Sequence, residues 1–143
     1  MTPTCFVGID PGRYGHGIVA LAADGQVQLR EKVDNSEEAI GELMARVVEL
    51  AGGPGRALWI AEANAGDGAV LIGELLAHGE AVTALTPNEV AARRKGRRQA
   101  HKTDLIDAEI CASIGRESHT GLRRLAPVPE GVSPRVVGNE RGP

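Results

Sequence analysis

The stretch CFVGIDPGRYGHGIVALAADG, residues 5–25, contains two apolar, β-prone runs with a break between them. Pro11-Gly12 interrupts the apolar pattern, and Asp24-Gly25 is a strong signal for a hairpin turn. The pattern predicts an antiparallel meander of three strands, at residues 5–10, 16–23 and 26–33. We therefore expect these three strands to be neighbours in one sheet.

After the meander, helical and strand-like patterns alternate along the chain. Asn35, with Glu38 three positions later, predicts a capping box at the start of a helix. The elements predicted next are a strand at 57–61 closing at Glu62, a helix carrying Leu71 and Leu75, a strand at 81–85, a helix starting at Thr86 and a helix capped by Thr103. This order predicts an α/β fold, with a mixed sheet of about five strands and helices on both faces.

Two large groups of proteins share this order of elements: polynucleotidyl transferases of the ribonuclease-H type and ATPases of the sugar-kinase and actin type. A chain of 143 residues is sized for one domain. Actin-like enzymes need two lobes and a second glycine-rich phosphate loop, which this length does not hold. We expect one ribonuclease-H-like domain at residues 1–118, followed by an irregular tail at 119–143 that contains several Pro and Gly residues.

The composition indicates an aliphatic core and no membrane segment. Only Phe6, Tyr14 and Trp59 are aromatic, so Val, Ile, Leu and Ala must fill the interior. Cys5 and Cys111 have no partner at metal-ligand spacing, and no basic head followed by an apolar run resembles a secretory signal. The apolar stretches are far shorter than the roughly 20 residues needed to span a bilayer. We expect a soluble, cytoplasmic protein with reduced thiols and no membrane partner.

Four carboxylates from distant segments are candidate metal ligands and catalytic groups: Asp10, Glu62, Asp104 and Asp107. Asp10 ends the first predicted strand and Glu62 ends the fourth, and these two strands are expected to be neighbours. Asp104 and Asp107 are three positions apart on the last predicted helix, so they share a face. Like charges held close together demand a cation, and oxygen-only ligands fit Mg²⁺ or Mn²⁺. Such ions, in a pair about 4 Å apart, could activate the attacking oxygen in phosphodiester cleavage and stabilise the leaving one.

Each of these acidic residues also has a purely structural interpretation. Asp10 could start a turn, Asp104 could favour a helix N-terminus, and Asp107 could be a solvated helix residue. Glu62 could be a strand-end charge, although it resists this interpretation best because an apolar strand directly precedes it. His16 could ligate a metal, but a hydrogen-bonded structural histidine at a strand start fits the pattern better.

A basic run without acidic residues follows the helix that begins at Thr86. The net charge of −3 taken alone argues against nucleic-acid binding, but phosphate contacts depend on the local excess of Lys and Arg. The candidate phosphate contacts are Arg93, Arg94, Lys95, Arg97, Arg98, His101 and Lys102. A solvated helix face is the alternative that stays open for this run.

Several motifs resemble the DEDD transposases of bacterial insertion sequences of the insertion-sequence-110 type. The first is Val7-Gly8-Ile9-Asp10-Pro11-Gly12-Arg13, followed by His16 and the Asp24-Gly25 hairpin. Then Glu62, Gly79, Pro87, Arg94 and the block Lys102-Thr103-Asp104-Leu105-Ile106-Asp107-Ala108 follow in the order of that family. The last block is the most diagnostic part, and the resemblance covers roughly residues 5 to 115.

The resemblance implies a ribonuclease-H-like fold of the RuvC-like branch, in which Asp10, Glu62, Asp104 and Asp107 bind Mg²⁺. It implies a recombinase that excises and inserts its element in DNA and that is associated with a structured guide RNA. Arg13 stands where the family more often has Lys, and it keeps the positive charge for a nucleic acid. For the full-length protein we expect a homo-oligomer.

Full chains of this family add a helical segment and a C-terminal domain with a serine nucleophile, and nothing after His119 resembles those parts. We expect this chain to be the N-terminal catalytic domain of a transposase, truncated at the start of the next segment. Two alternatives stay open: a stand-alone RuvC-like Holliday-junction resolvase or nuclease, and an inactive nucleic-acid-binding remnant. An actin-like ATPase or sugar kinase is the less favoured interpretation.

Overall fold

The structure is a computed structural model that describes residues 2–63, 66–95, 105–126 and 135–136. Its main strands are β1 (Cys5–Asp10), β2 (Gly15–Ala22), β3 (Val27–Asp34), β4 (Ala57–Glu62) and β5 (Ala81–Leu85). Its helices are α1 (Glu37–Ala51), α2 (Ala69–Ala77), α3 (Pro87–Arg94) and α4 (Ile106–Ser118). None of the helices in these ranges has the length and apolar character that crossing a membrane requires.

Strands β1 to β5 form one mixed sheet in the order β3-β2-β1-β4-β5. β2 pairs antiparallel with both β1 and β3, whereas β4 pairs parallel with both β1 and β5. Because β1 and β4 run in the same direction, their last residues, Asp10 and Glu62, lie at the same edge of the sheet. The predicted meander and the prediction of a mixed five-stranded sheet are both confirmed.

The core has two layers because successive residues of a buried strand face opposite sides of the sheet. Cys5, Val7 and Ile9 of β1 belong to the cluster that includes the buried residues of α1 and α2. Phe6 belongs to a second cluster on the other face, with residues of α3 and α4 such as Ile110. The prediction of helices on both faces is confirmed.

Helix α4 lies directly on strand β1, and glycine makes this contact possible. A Cβ atom added to Gly8 would lie 1.8 Å from the carbonyl oxygen of Ala108 and 2.6 Å from the backbone nitrogen of Ala112. Both alanines are fully buried. Small residues on both elements therefore bring the two backbones together, and the first turn of α4, which contains Asp107, reaches the edge where β1 ends.

The helix starts agree with the sequence at α3 and differ at α1. Thr86 and Glu89 form the predicted capping box of α3. At α1 the N-cap is Ser36, whose hydroxyl accepts a hydrogen bond from the Ala39 N–H, so the prediction of Asn35 as the cap is wrong. The Asn35 side chain instead bonds to residues of the β1–β2 region. α4 begins at Ile106 with Leu105 as its N-cap, so the predictions that Thr103 caps this helix and that Asp104 shares a helical face with Asp107 are wrong. Thr103 and Asp104 themselves lie outside the described residues.

Residues that follow α4 join the sheet at its β5 edge. A 3-10 turn (His119–Gly121) is followed by the short strands β6 (Leu125–Ala126) and β7 (Arg135–Val136), which pair with each other. Leu122 packs against the second core cluster, and Arg124 forms a β-bridge with Thr83 of β5. The domain boundary expected at residue 118 stays a prediction.

Candidate metal centre

Three of the four predicted acidic residues meet at the carboxyl edge of the sheet. Asp10 ends β1, Glu62 ends β4, and Asp107 lies in the first turn of α4. One carboxylate oxygen of each residue lies within 4.8 Å of those of the other two, and all three residues are partly buried. Asp104, the fourth predicted ligand, lies outside the described residues.

Backbone pairing explains how two of these carboxylates come together. Ile9 and Ala61 are direct partners in the parallel β1–β4 pair, so the residues that follow them, Asp10 and Glu62, leave the sheet side by side. The third carboxylate depends on the close contact between α4 and β1 at Gly8. Two strand ends and one helix start thus supply the three groups.

The environment raises the pKa of two of these carboxyl groups. Burial is the first cause of the raised pKa of Asp10, and the negative charge of Asp107 adds to it. Burial also raises the pKa of Glu62, and the charges of Asp107 and Asp10 raise it further. Each group therefore holds its negative charge less easily than a solvated carboxylate, so a bound cation would relieve the repulsion.

Arg94 supplies positive charge inside this cluster. Its Nε donates to Oδ1 of Asp107 and its Nη2 donates to Oδ2, both at 2.8 Å. The charge of Arg94 also lowers the pKa of Asp10 and of Glu62. Paired hydrogen bonds between a guanidinium and a carboxylate fix geometry as well as charge, so Arg94 orients Asp107. Its predicted phosphate contact stays a prediction.

Lys32 is a charged neighbour of the site that the sequence analysis missed. Gly17 of β2 is the strand partner of both Asp10 and Lys32, so the three residues form one row across the sheet. The Lys32 charge lowers the pKa of Asp10. The structure explains the placement: Arg30, two residues earlier on β3, bonds to Glu109 of α4, so this side of β3 faces α4.

His16 is a structural residue, as predicted. It is fully buried, and its Nδ1 accepts a hydrogen bond of 3.3 Å from the Gly12 N–H. The proton of the ring is then on Nε2, which donates to Oδ1 of Asn35 at 3.0 Å. Because both ring nitrogens have partners, His16 does not present a free ligand atom to a metal.

The predicted basic residues have different surroundings in the structure. Arg13 is exposed in the loop between β1 and β2, and Lys95 is exposed at the end of α3. Arg93 forms a surface ion pair with Glu117 at 2.8 Å. The remaining predicted contacts, Arg97, Arg98, His101 and Lys102, lie outside the described residues.

The donor set of the cluster fits a hard divalent cation. Its three possible ligand atoms are all carboxylate oxygens, which Mg²⁺ and Mn²⁺ prefer over nitrogen or sulfur ligands. The buried thiols are poor ligands, because burial raises the pKa of Cys5 to about 11 and raises that of Cys111 further. The chemistry of the site is therefore that of oxygen ligands at a partly buried edge.

Solved structures with a similar fold include RuvC of Thermus thermophilus. In its complex with a Holliday-junction substrate, RuvC matches 85% of this chain and 99% of its own, with a TM-score of 0.58 and 17% identity. Another structure of Thermus thermophilus RuvC matches the same shares with a TM-score of 0.55 and 20% identity. The RuvC-like, ribonuclease-H-like fold predicted from the sequence is confirmed.

Relatives of this chain come from insertion elements. It is 34% identical over 119 residues to the "Insertion element IS900 uncharacterized 42 kDa protein" of Mycobacterium paratuberculosis and covers 30% of that protein. It is 32% identical over 112 residues to the "Insertion element IS116 uncharacterized 44.8 kDa protein" of Streptomyces clavuligerus and covers 27% of it. These matches span 83% and 78% of this chain.

Residues 7–133 match the DEDD family of insertion-sequence-110 type, which is described as "Transposase". The chain belongs to this transposase family.

Proposed function

We propose that this chain is the metal-binding, catalytic N-terminal domain of a transposase that acts on phosphodiester bonds of DNA. The observation that carries the proposal is the meeting of Asp10, Glu62 and Asp107, whose carboxylate oxygens lie within 4.8 Å of one another. Asp104 completes the proposed set of ligands from the segment that precedes α4. Membership of the transposase family supports this assignment of the cluster.

Mg²⁺ or Mn²⁺ is the proposed cofactor, and when bound it would supply Lewis acidity for the attacking and leaving oxygens. The residues of the chain prepare the site for it. Asp10 and Glu62, whose pKa values burial raises, gain from a cation that favours their ionised forms. Arg94 holds the carboxylate of Asp107 in place, and Lys32 keeps positive charge beside Asp10.

DNA is the proposed partner of this edge of the sheet. The run of basic residues begins in the sequence at Arg93, on α3, the helix that also contributes Arg94 to the cluster, and includes residues up to Lys102. The RuvC structure with a bound junction supports a nucleic acid at a fold of this kind. A structured guide RNA, a homo-oligomer of the full-length protein and a cytoplasmic location, where the DNA of a bacterial insertion sequence lies, complete the proposal.

The transposase domain is favoured over a stand-alone junction resolvase. Both would use the same fold, but the family match and both insertion-element relatives point to a transposase. Cleavage of a synthetic four-way junction by this chain alone with Mn²⁺ would support the resolvase. Nucleic-acid binding without any response to divalent cations would support an inactive remnant.

The proposed metal site can be tested by thermal unfolding in the presence of increasing Mg²⁺ or Mn²⁺. A cation at 100 times its Kd stabilises the folded protein by about 2.7 kcal/mol, so the wild type should show a rise of several degrees in Tm. The variants Asp10→Asn, Glu62→Gln, Asp107→Asn and Asp104→Asn should lose most of this rise. Asp34→Asn, an exposed carboxylate at the end of β3, is the matched control and should keep it.

Equal rises in Tm for the wild type and all four cluster variants would exclude the proposed site. Isothermal titration calorimetry with Mn²⁺ would count the bound ions directly. A pair of ions would match the two-metal chemistry expected for phosphodiester cleavage. Loss of cation binding in the cluster variants, with retained binding in Asp34→Asn, would assign the ions to the acidic cluster.

A further inference from the structure

The one tyrosine of the chain lies almost entirely in solvent. Tyr14 is 82% exposed, whereas Phe6 and Trp59, the other two aromatic residues, are 2% and 0% exposed. The fold therefore uses two of its aromatic side chains in the core and leaves the third in water. Tyr14 contributes little apolar burial to stability, so its ring is available for contact with a ligand.

The loop that contains Tyr14 is held in place by hydrogen bonds. The Gly12 N–H donates to His16, the side-chain amide of Asn35 donates to the Arg13 carbonyl at 3.3 Å, and the Asn35 N–H donates to the Tyr14 carbonyl at 3.1 Å. His16, which receives the first of these bonds, is fully buried. The backbone of Tyr14 is thus fixed before any ligand arrives, which lowers the entropic cost of binding at its ring.

Arg13 places a positive charge next to the exposed ring. The guanidinium carbon of Arg13 lies 5.8 Å from the centroid of the Tyr14 ring, and both side chains are exposed. With the guanidinium over one face of the ring, the opposite face of this exposed side chain offers a contact for a base and Arg13 offers one for a phosphate. Proteins that bind single-stranded nucleic acids combine these two kinds of contact.

The loop lies at the edge of the sheet that carries the acidic cluster. Tyr14 is four residues after Asp10, so their Cα atoms are at most about 14 Å apart. β2 returns from the loop to place Gly17 opposite Asp10. A nucleic acid with a phosphate at the cluster would therefore pass the Tyr14 ring within a short stretch of its backbone.

We propose that Tyr14 stacks against an unpaired base of the nucleic acid bound at the acidic cluster, while Arg13 contacts a neighbouring phosphate. This inference rests on the proposed function. An unpaired base fits better than a paired one, because the bases inside a duplex already stack on each other and leave no face for a protein ring. Tyr14 is thus a positioning residue for a single-stranded segment, separate from the metal ligands.

Stacking can be tested with a single-stranded oligonucleotide that contains 2-aminopurine, whose fluorescence is quenched when its ring stacks. In low salt with Ca²⁺, a cation that binds oxygen ligands and so neutralises the acidic cluster, wild type and Tyr14→Phe should quench the probe and bind alike. Tyr14→Ala and Tyr14→Leu should lose the quenching and bind roughly 5- to 100-fold more weakly, the range expected for one base–aromatic stack. Affinity for a blunt duplex of the same sequence should change little.

Two further variants separate stacking from other effects. Val27→Ala removes another exposed apolar side chain. Val27 begins β3, whereas the loop of Tyr14 lies near the last residue of β3, so this variant should bind as the wild type does. Arg13→Gln should reduce the salt dependence of binding while the probe stays quenched. All of these variants should unfold at the Tm of the wild type because the altered side chains are exposed.

The result that would overturn the inference is equal single-strand affinity and equal quenching for Tyr14→Ala and the wild type. An equal loss of duplex affinity in Tyr14→Ala would also overturn it, because stacking on an unpaired base predicts a selective loss. The stabilisation by Mg²⁺ or Mn²⁺ tests the metal site independently. A normal metal response in a protein without stacking would remove this inference and leave the proposed function intact.

Discussion

Both carboxylate oxygens of Asp107 accept a hydrogen bond from the guanidinium of Arg94, at 2.8 Å each. This pair joins the end of α3 to the start of α4 at the acidic cluster. A cation that coordinates an oxygen of Asp107 must either share the carboxylate with Arg94 or displace the Arg94 guanidinium. In the proposed metal site, the stability of the cluster and its affinity for a cation would therefore be coupled through Arg94.

Replacing Arg94 with Gln should make the protein more dependent on metal. Without the guanidinium, Asp10, Glu62 and Asp107 repel each other more strongly, so Tm in EDTA should fall by a few degrees. The rise in Tm produced by saturating Mn²⁺ should be larger than in the wild type. The matched control is Arg93→Gln, which removes an exposed ion pair with Glu117 and should change stability by less than about 1 kcal/mol. A smaller Mn²⁺ response in Arg94→Gln than in Arg93→Gln would contradict this expectation.

The raised pKa values of Asp10 and Glu62 predict a specific dependence of stability on pH without metal. The folded state holds protons on these groups more tightly than the unfolded state does. Ionisation of Asp10 and Glu62 therefore destabilises the folded protein at neutral pH. This destabilisation is lost as the pH falls through the raised pKa values of the folded state towards the ordinary pKa values of 3.8 for Asp and 4.5 for Glu.

The double variant Asp10→Asn/Glu62→Gln isolates this effect from that of other carboxylates. One of these is Glu31, whose pKa a hydrogen bond from Arg46 lowers, so its contribution is lost at low pH. In EDTA, the double variant should be more stable than the wild type at pH 7, and the difference should narrow at pH 5. Urea unfolding at both pH values measures it. If the difference in unfolding free energy between the double variant and the wild type widened at pH 5, the predicted direction of the effect would be contradicted.

A methyl group at position 8 should separate α4 from β1. In Gly8→Ala the new Cβ would meet the backbone of Ala108 at 1.8 Å, and backbone cannot move aside as a flexible side chain can. We expect a loss of about 1–3 kcal/mol of unfolding free energy, together with a weaker Mn²⁺ response because Asp107 moves with α4. Gly41→Ala, in open space on α1, should instead stabilise the protein by up to about 1 kcal/mol. If Gly8→Ala were destabilised but bound Mn²⁺ with unchanged affinity, the contact between α4 and β1 would not be what positions Asp107 in the site.

The basic run predicts a salt-dependent interaction with DNA. Replacing Arg97 and Arg98 with Gln should weaken duplex binding and reduce the slope of log Kd against log salt by about 0.9 for each phosphate that the variant no longer neutralises. Fluorescence anisotropy at several salt concentrations measures this slope. Arg46→Gln, which removes a surface ion pair with Glu31 on the α1 side, should keep the wild-type slope. If the variant with Gln at positions 97 and 98 had the same slope as the wild type, the basic run would be interpreted as a solvated helix face.

The sequence was sufficient to predict the neighbouring ends of β1 and β4. Apolar runs that end at Asp10 and Glu62 mark two buried strands, and the order of elements places these strands together. The cap of α1 was assigned wrongly because Asn35 and Ser36 are both good capping residues. The side chain of Asn35 bonds to His16, which lies 19 positions earlier in the sequence, so Ser36 is the residue that caps the helix. Local propensity contains no information about such a partner.

The sequence by itself determined the strands, the helices and the carboxylates that end them, because periodicity and residue chemistry are local properties. Only the tertiary structure decided that Arg94 bonds to Asp107, that Lys32 shares a row with Asp10 and that the Tyr14 side chain is exposed. These relationships arise from strand register and from the close approach of α4 at Gly8. Both are set by packing between segments that are far apart in the chain.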